Sequence, residues 1–281
     1  MWYCVIAIPL WNVERKILQI MKEEIMDMTF LIPVRIDSMI RLENLQLTID
    51  FLKSNFYCHI FLLESDRYNR HLLDRLCTDI KYEFVEDKDV IFYRTKHLNQ
   101  MTLQSNTDYL AIWDADIIIP TGQIVDSIQQ LRGDKYQVAY PYNGCFMETS
   151  DILRAQYFEN RDIGFLSRNV EKMRLLNDCH ENVGGAVLVN RKAYIMSGME
   201  NEHFYGWGAE DNERFFRWKS LDYSIYRSEG VLFHLTHPRE ENSGYTSKFH
   251  QEKAYAELSK TVVETDEEIL HNINNNYYRI S

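Results

Sequence analysis

Residues 109–120 read Tyr109-Leu-Ala-Ile-Trp113-Asp114-Ala-Asp116-Ile-Ile-Ile-Pro120, an apolar run that breaks into two carboxylates and then turns apolar again. The first five residues predict a buried strand. Asp114 and Asp116, two apart on an extended chain, project to the same side. At a strand end one or both can reach a divalent cation, and oxygen ligands suit Mg²⁺ or Mn²⁺. The tripeptide alone says little, since with 19 aspartates about one D-x-D is expected by chance. A second pair, Asp87-Lys-Asp89, sits in a charged stretch that reads as solvated surface. The setting distinguishes the first pair: acids in so apolar a stretch are costly to bury without a cation or a hydrogen-bonding partner. A plain capping role is the alternative.

Working outward, apolar runs alternate with helical patterns. Thr29-Phe-Leu-Ile-Pro-Val34 reads as a strand, with Ser38 capping a helix to about Lys53. Cys58–Leu63 reads as a strand ending in Glu64-Ser-Asp66, Asn69–Cys77 as a helix, and Ile80–Val85 as a strand. A helix over Arg94–Ser105, a helix after Thr121 and a strand at Tyr136–Tyr140 complete the first half. This alternation implies an α/β fold whose central sheet is mostly parallel with helices on both faces. Such sheets bind ligands at the carboxyl ends of their strands, and there lie Asp37, Glu64, Asp66, Asp114 and Asp116.

The second half has a different texture. Asp151–Leu176 reads as one long polar helical stretch, and Gly184-Gly185 as a turn into an apolar strand. Phe204-Tyr-Gly-Trp-Gly-Ala-Glu-Asp211 runs into a helix over Arg214–Leu221, and residues 223–235 read as two short strands ending in His234. The polar tail beyond Tyr245 reads as helical with a frayed end at Asn274-Asn-Asn. The expected organisation is an N-terminal helical extension (or a misassigned start) over 1–27, a main domain over 28–244 with halves 28–145 and 146–244, and a helical tail over 245–281.

The chain has 281 residues, 45% hydrophobic and 26% charged, with a formal net charge of −11. That composition excludes disorder, collagen and coiled coil as the main architecture. The acidic balance argues against nucleic acid held on a broad basic face, while a bound cation would reverse the field locally for an anionic ligand. Five scattered cysteines without a C-x-x-C spacing form neither a disulfide framework nor a zinc site, so a reducing, cytoplasmic setting is expected. No run of 18 apolar residues spans a membrane, and no signal peptide is expected. Trp2, Tyr3, Leu10 and Trp11 would allow peripheral contact with the inner face of a membrane, although an ordinary packed helix explains them as well.

Two further constellations carry chemistry. Glu210-Asp211 follows Gly206-Trp207-Gly208-Ala209 at a helix start. The pair can be a simple cap on the helix dipole, or the polar half of a sugar site whose apolar half is the aromatic wall of Tyr205 and Trp207. The residues leave both open. His234 and His237 are three apart in a non-helical segment and need not face the same way. Gly184-Gly185 makes a turn, or lets backbone approach a ligand closely.

Ile32-Pro-Val-Arg35, Phe92-Tyr-Arg94-Thr-Lys-His-Leu-Asn99, Asp114-Ala-Asp116, Gly184-Gly185 and Gly206-Trp-Gly-Ala-Glu-Asp211, in this order, resemble the GT-A fold glycosyltransferases of β-1,4-galactosyltransferase type and their bacterial chondroitin-polymerase-like relatives. The resemblance spans about Thr29 to Asn242. It implies that Pro33, Arg35, Glu64, Asp66 and Asp114 hold the nucleotide and that Phe92 and Arg94 contact uracil. It implies Mn²⁺ (or Mg²⁺) on Asp116 and His234 with Asp114 alongside, supported by Pro238 and Glu241-Asn242. It further implies Asp211 as catalytic base with Glu210 beside it, and Gly185, Trp207, Gly208 and Glu210 against donor sugar and acceptor. Ala209, Asn212 and Val231 depart from the pattern. The implied activity is inverting transfer of a hexose or N-acetylhexosamine from a UDP-sugar to a glycan or glycolipid acceptor. A catalytically silent sugar- or nucleotide-binding protein of the same fold is the rival. A nucleotidyltransferase is disfavoured because Arg35-Ile-Asp-Ser-Met39 lacks the glycines of a triphosphate loop.

Overall fold

A computed structural model describes residues 22–239 and 244–280. Strand β1 (Glu23–Val34) pairs in parallel with β2 (Phe56–Asp66) on one side and β4 (Tyr109–Trp113) on the other, and β2 pairs in parallel with β3 (Lys81–Glu86). Helices α1 (Met39–Asn55), α2 (Leu73–Leu76) and α3 (Arg94–Gln104) connect them. Ser38 caps α1, its side chain accepting from the Arg41 amide. On the far side of β4 the order continues β9 (Ala186–Asn190), β6 (Val138–Tyr140), β10 (Ile225–Arg227). β9 runs antiparallel to both its neighbours, so the seven-stranded sheet is mixed rather than uniformly parallel. Every residue of β4 is buried. Successive side chains of a strand point to opposite faces, so both faces of the sheet are covered there.

A second, four-stranded sheet was not legible in the pattern. Its order is β5 (Ile117–Ile118), β11 (Leu232–His234), β7 (Phe146–Glu148), β8 (Arg174–Leu175). Strands of two or three residues are too short to show a period of two. This small sheet matters most for the site, because its register sets His234 opposite Ile117 and opposite Glu148.

Three expected helices change. Residues 1–21 lie outside the described residues, but Glu23–Asp27 is strand, not helix, anchored by Glu23 and Glu24 opposite Phe56 and Tyr57. The helix expected over Asn69–Cys77 shrinks to α2, since His71 takes a left-handed backbone conformation that no helix continues through. The long helix expected over Asp151–Leu176 divides into α5 (Asp151–Asn160) and α6 (Ile163–Arg168), because Arg161 is also left-handed and Asp162 caps the new start. Helix α4 (Thr121–Arg132) lies where it is expected, α8 (Glu210–Ser220) begins four residues before the expected start at Arg214, and the short α7 (Arg191–Met196) has no counterpart in the sequence reading. No helix among the described residues is long and apolar enough to cross a membrane.

The tail is helical, α9 (Lys248–Val263) and α10 (Asp266–Asn274), but its end is docked rather than frayed. Tyr278 is 1% exposed, its ring 4.4 Å from the Arg217 guanidinium. Glu202 accepts from Arg279 Nε at 2.7 Å and from the Ile280 amide at 2.9 Å. Thr261 on α9 donates to Glu213 on α8 at 3.1 Å, so the tail grips the helix that begins with Glu210-Asp211. Emptying the Tyr278 pocket by Tyr278→Ala should cost about 3 kcal/mol of unfolding free energy. Urea unfolding of the two proteins measures this, and equal midpoints would show that the tail contributes no packing.

Candidate functional site

A cavity of about 310 Å³ opens at the carboxyl end of β4, where both sheets meet. Asp116, His234 and His237 stand together in it, with one ligand atom from each lying within 4.8 Å of the others. All three are buried. Main chain fixes the arrangement: His234 ends β11 opposite Ile117, and the Leu235 amide donates to the Asp116 carbonyl at 2.9 Å. The ring orientations follow from their other nitrogens. His237 Nδ1 lies 2.8 Å from the Pro238 carbonyl, which can only accept, so this nitrogen carries the proton. His237 Nε2 then faces Asp116 Oδ2 at 3.2 Å. His234 Nδ1 faces the Glu148 carboxylate at 3.5 Å and its Nε2 faces Asp116 Oδ2 at 3.6 Å.

Two imidazole lone pairs and a carboxylate oxygen pointed at one another repel unless a cation or a shared proton lies between them. One carboxylate and two imidazoles form a donor set that fits Mn²⁺, and Glu148 behind His234 is the outer carboxylate that holds such a ring in place. The electrostatics agree. Burial lowers the basicity of His234, but Asp116 and Glu148 outweigh it and raise its pKa to about 9. Glu148 falls to about 2, chiefly through His234. Asp116 is driven well below the usual carboxylate range by the two histidines, against the effect of its burial.

Deeper in the same cavity Arg94, the first residue of α3, meets three acids. Its Nη2 donates to Asp114 Oδ1 at 2.7 Å, while Nη1 lies 3.6 Å from Asp211 Oδ1 and 3.8 Å from Glu210 Oε1. Arg214, one turn into α8, donates to the same Asp211 Oδ1 at 2.6 Å and, through its other terminal nitrogen, to buried Glu200 at 2.6 Å. Asp211 Oδ2 is left facing Gly184, where a Cβ would stand 2.8 Å from it. Glu210 is pushed up to about 7 by loss of water and by Asp211 beside it, against Arg94. Loss of water also raises Asp114, despite Arg94. α8 starts without a side-chain cap on left-handed Ala209, and Glu210 Oε2 instead accepts from the Gly208 amide at 2.9 Å. The buried Glu210 and half-buried Asp211 therefore form a charge cluster with the arginines rather than a simple surface cap.

Several sequence expectations change here. Asp114 is turned toward Arg94 and is not in the group with Asp116, while His237, absent from the expected ligand set, completes it. Arg94 is occupied by acids rather than left facing a base. Glu64 and Asp66 do not line the cavity: Glu64 accepts from Tyr82 at 2.6 Å, and Asp66 pairs with Arg70 at 3.2 Å. Pro33, Arg35 and Phe92 do line it, as do Gly185, Trp207 and Gly208. The Arg35 donors go to the Ser65, Asp89 and Val90 carbonyls and to Asp87, and its guanidinium lies 5.6 Å from the Phe92 ring. Gly185 has a positive φ of 78°, and a Cβ there would stand 2.6 Å from the Phe146 ring, so turn and packing both require glycine. The Trp207 ring is 48% exposed, edge-on to Tyr245 at 5.2 Å. Glu241 and Asn242 lie outside the described residues.

Residues 165–241 match the sequence profile described as the N-terminal domain of galactosyltransferase. That segment contains Gly184-Gly185, Glu210-Asp211, His234 and His237. Among solved structures, the mannosyltransferase PcManGT of Pyrobaculum calidifontis, in complex with GDP-Man and Mn²⁺, aligns with a TM-score of 0.54 at 13% identity, covering 95% of this chain and 75% of that one. Glucosyl-3-phosphoglycerate synthase of Mycobacterium tuberculosis, in complex with Mn²⁺, UDP-glucose and phosphoglyceric acid, aligns with a TM-score of 0.52 at 11% identity, covering 93% and 86%. No curated protein matches by sequence. The architecture shared with these structures is the GT-A fold, and residues 165–241 are similar to the N-terminal domain of galactosyltransferase.

Proposed function

We propose that the chain is a metal-dependent inverting glycosyltransferase, moving a hexose or N-acetylhexosamine from a UDP-sugar to a hydroxyl of a glycan or glycolipid acceptor. The observation that carries this reading is the pairing, in one cavity, of a buried Asp116–His234–His237 set with a carboxylate, Asp211, whose Oδ1 is tied to arginine while Oδ2 stays open. Asp116, His234 and His237 hold Mn²⁺ (or Mg²⁺), which when bound offsets the charge that develops on the departing diphosphate. The Mn²⁺ in the two aligned structures supports the metal, and their UDP- and GDP-sugars support the donor class.

The chain's own groups do the rest. Phe92, braced by Arg35, offers a ring for the uracil beside Pro33. Arg94 and Arg214 hold and orient Asp211, so that Oδ2 takes the proton from the acceptor hydroxyl as that hydroxyl attacks the anomeric carbon. Glu210, its carboxyl pKa raised by burial and by Asp211 beside it, faces the same cavity as a polar partner for a sugar hydroxyl. The Trp207 ring takes the apolar face of a sugar.

Asp211→Asn should lower transfer by about 10²–10⁴-fold, the range for loss of a general base, with Mn²⁺-dependent UDP binding retained. Unchanged turnover in a radiolabelled sugar-transfer assay would remove Asp211 from that role. Metal binding should also release a proton from His234, whose raised pKa leaves it charged at pH 7. In the metal-free protein this raised pKa favours the folded state below about 6.5, and the effect is lost as pH rises through about 9. Mn²⁺ affinity should therefore climb about tenfold per pH unit between about 7 and 8.5. Calorimetry in buffers of different ionisation enthalpy should count about one proton, and a pH-independent affinity would contradict the ligand assignment.

A further inference from the structure

Asp87-Lys-Asp89 lies at the surface, as its charge suggests, but it is also a joint between two walls of the reaction cavity. Arg35 holds it from one side: Nη1 donates to the Asp89 carbonyl at 2.9 Å and to the Val90 carbonyl at 2.8 Å, and Nη2 to Asp87 Oδ2 at 3.2 Å. The two carboxylates fold the joint on itself, Asp87 Oδ1 accepting from the Asp89 amide at 3.0 Å and Asp89 Oδ1 from the Ile91 amide at 3.1 Å. Asp89 Oδ2 then reaches across to accept from the Tyr205 hydroxyl, 116 residues away. We propose that Asp89 and Tyr205 are positioning residues for Trp207: their hydrogen bond ties the loop that carries Trp207 to the wall that carries Phe92, and holds the indole at the cavity edge before any ligand binds. What Trp207 then contacts rests on the transferase reading above; the tether itself does not.

Residues 89–95 form a seat for residues 202–206. Deeper in the protein, Thr95 Oγ1 donates to the Phe204 carbonyl at 3.1 Å, and the Tyr93 hydroxyl donates to the Glu202 carbonyl. These bonds fix the chain as far as Phe204. The Tyr205 ring meets Tyr93 edge-on at 5.4 Å, and Gly206 approaches so closely that a Cβ there would stand 2.9 Å from the Ile91 side chain.

Past Phe204 the support changes. Residues 205–209 lie outside helix and strand, so no ladder of backbone bonds holds them. Side chains supply the anchors instead. Before Trp207 stands the bond from Tyr205 to Asp89; after it, Glu210 Oε2 accepts from the Gly208 amide at 2.9 Å and Tyr245 packs against Gly208. The half-exposed indole keeps its place only while both anchors hold.

Asp89 suits the task because it is itself immobilised, its backbone by Arg35 and its other oxygen by the Ile91 amide. The acceptor is charged, which strengthens the bond, and its carboxyl is held below the usual carboxylate range, chiefly by the Tyr205 hydroxyl. Arg35 also lies 5.6 Å from the Phe92 ring, and both Phe92 and Trp207 line the reaction cavity. One chain of contacts, Phe92 to Arg35 to Asp89 to Tyr205, therefore sets where Trp207 stands relative to Phe92.

The test is acrylamide quenching of Trp207 fluorescence in the full chain without ligand, Trp207 being read as the difference from Trp207→Phe. Tyr205→Phe and Asp89→Ala should each raise the Trp207 quenching constant about twofold, the low end of what one net hydrogen bond is worth. The double variant should go no further than either. Asp89→Asn, whose amide still bonds the hydroxyl, should keep the wild-type value. Quenching of the other tryptophans should stay constant throughout, which separates a lost tether from a loosened fold. Unchanged Trp207 quenching in either single variant, additive effects in the double, an Asp89→Asn protein that behaves as Asp89→Ala, or an equal rise at the other tryptophans would each overturn the tether. UDP binding with Mn²⁺, measured on the same wild-type sample, reports on the transferase reading separately: its absence would overturn that reading and leave the quenching result as it stands.

Discussion

Carboxylates that share a desolvated cavity repel one another unless cations stand between them, and this constraint organises the whole site. Arg94 is the shared cation. It joins Asp114 at the end of β4 to Glu210 and Asp211 at the start of α8, elements nearly a hundred residues apart in sequence. Arg214 adds a second hold on Asp211 and is itself neutralised by Glu200, which also accepts from Tyr194 at 2.6 Å. Burying such a cluster costs solvation, and removing one partner would leave an uncompensated charge behind. The residue types are thus interdependent, and Asp211 is oriented by Arg94 and Arg214.

The second constraint is register. The small sheet sets β11 between β5 and β7, so His234 stands beside Asp116 on one side and Glu148 on the other. A one-residue slip would turn the His234 side chain to the opposite face. The main chain past β11 then brings His237 round to the same oxygen, with the Pro238 carbonyl fixing its ring. Backbone pairing, rather than side-chain choice alone, converts three scattered residues into one donor set.

These constraints explain what the sequence could and could not say. Asp114-Ala-Asp116 was legible because a buried strand followed by acids is chemically conspicuous, the apolar parts of β1, β2 and β4 because each is a continuous apolar run, and β3 because it alternates. Arg94 was visible as a cation in a motif, but its partners are set by tertiary packing, so a contact to uracil was expected in place of the acid cluster. Glu64 and Asp66 obeyed the strand-end pattern, yet β2 runs through both and gives them local partners in Tyr82 and Arg70. His237 stood three residues from His234, a spacing that decides nothing in a non-helical segment. Local backbone also defeated two helix readings: His71 and Arg161 take left-handed conformations that no composition rule marks at those residue types. The docked tail escaped notice because Tyr278 gains its burial from Gly198 and Arg217, far away in the chain.

The central claim is that Asp116, His234 and His237 form one metal centre through which the nucleotide is held. The most direct measurement is calorimetric titration of UDP into the protein with Mn²⁺ and then with EDTA, on the wild type, Asp116→Ala and His237→Ala. The account requires UDP binding that depends on the metal and is lost in both variants. Equal UDP affinity in EDTA, or a His237→Ala protein that binds UDP as the wild type does, would contradict it.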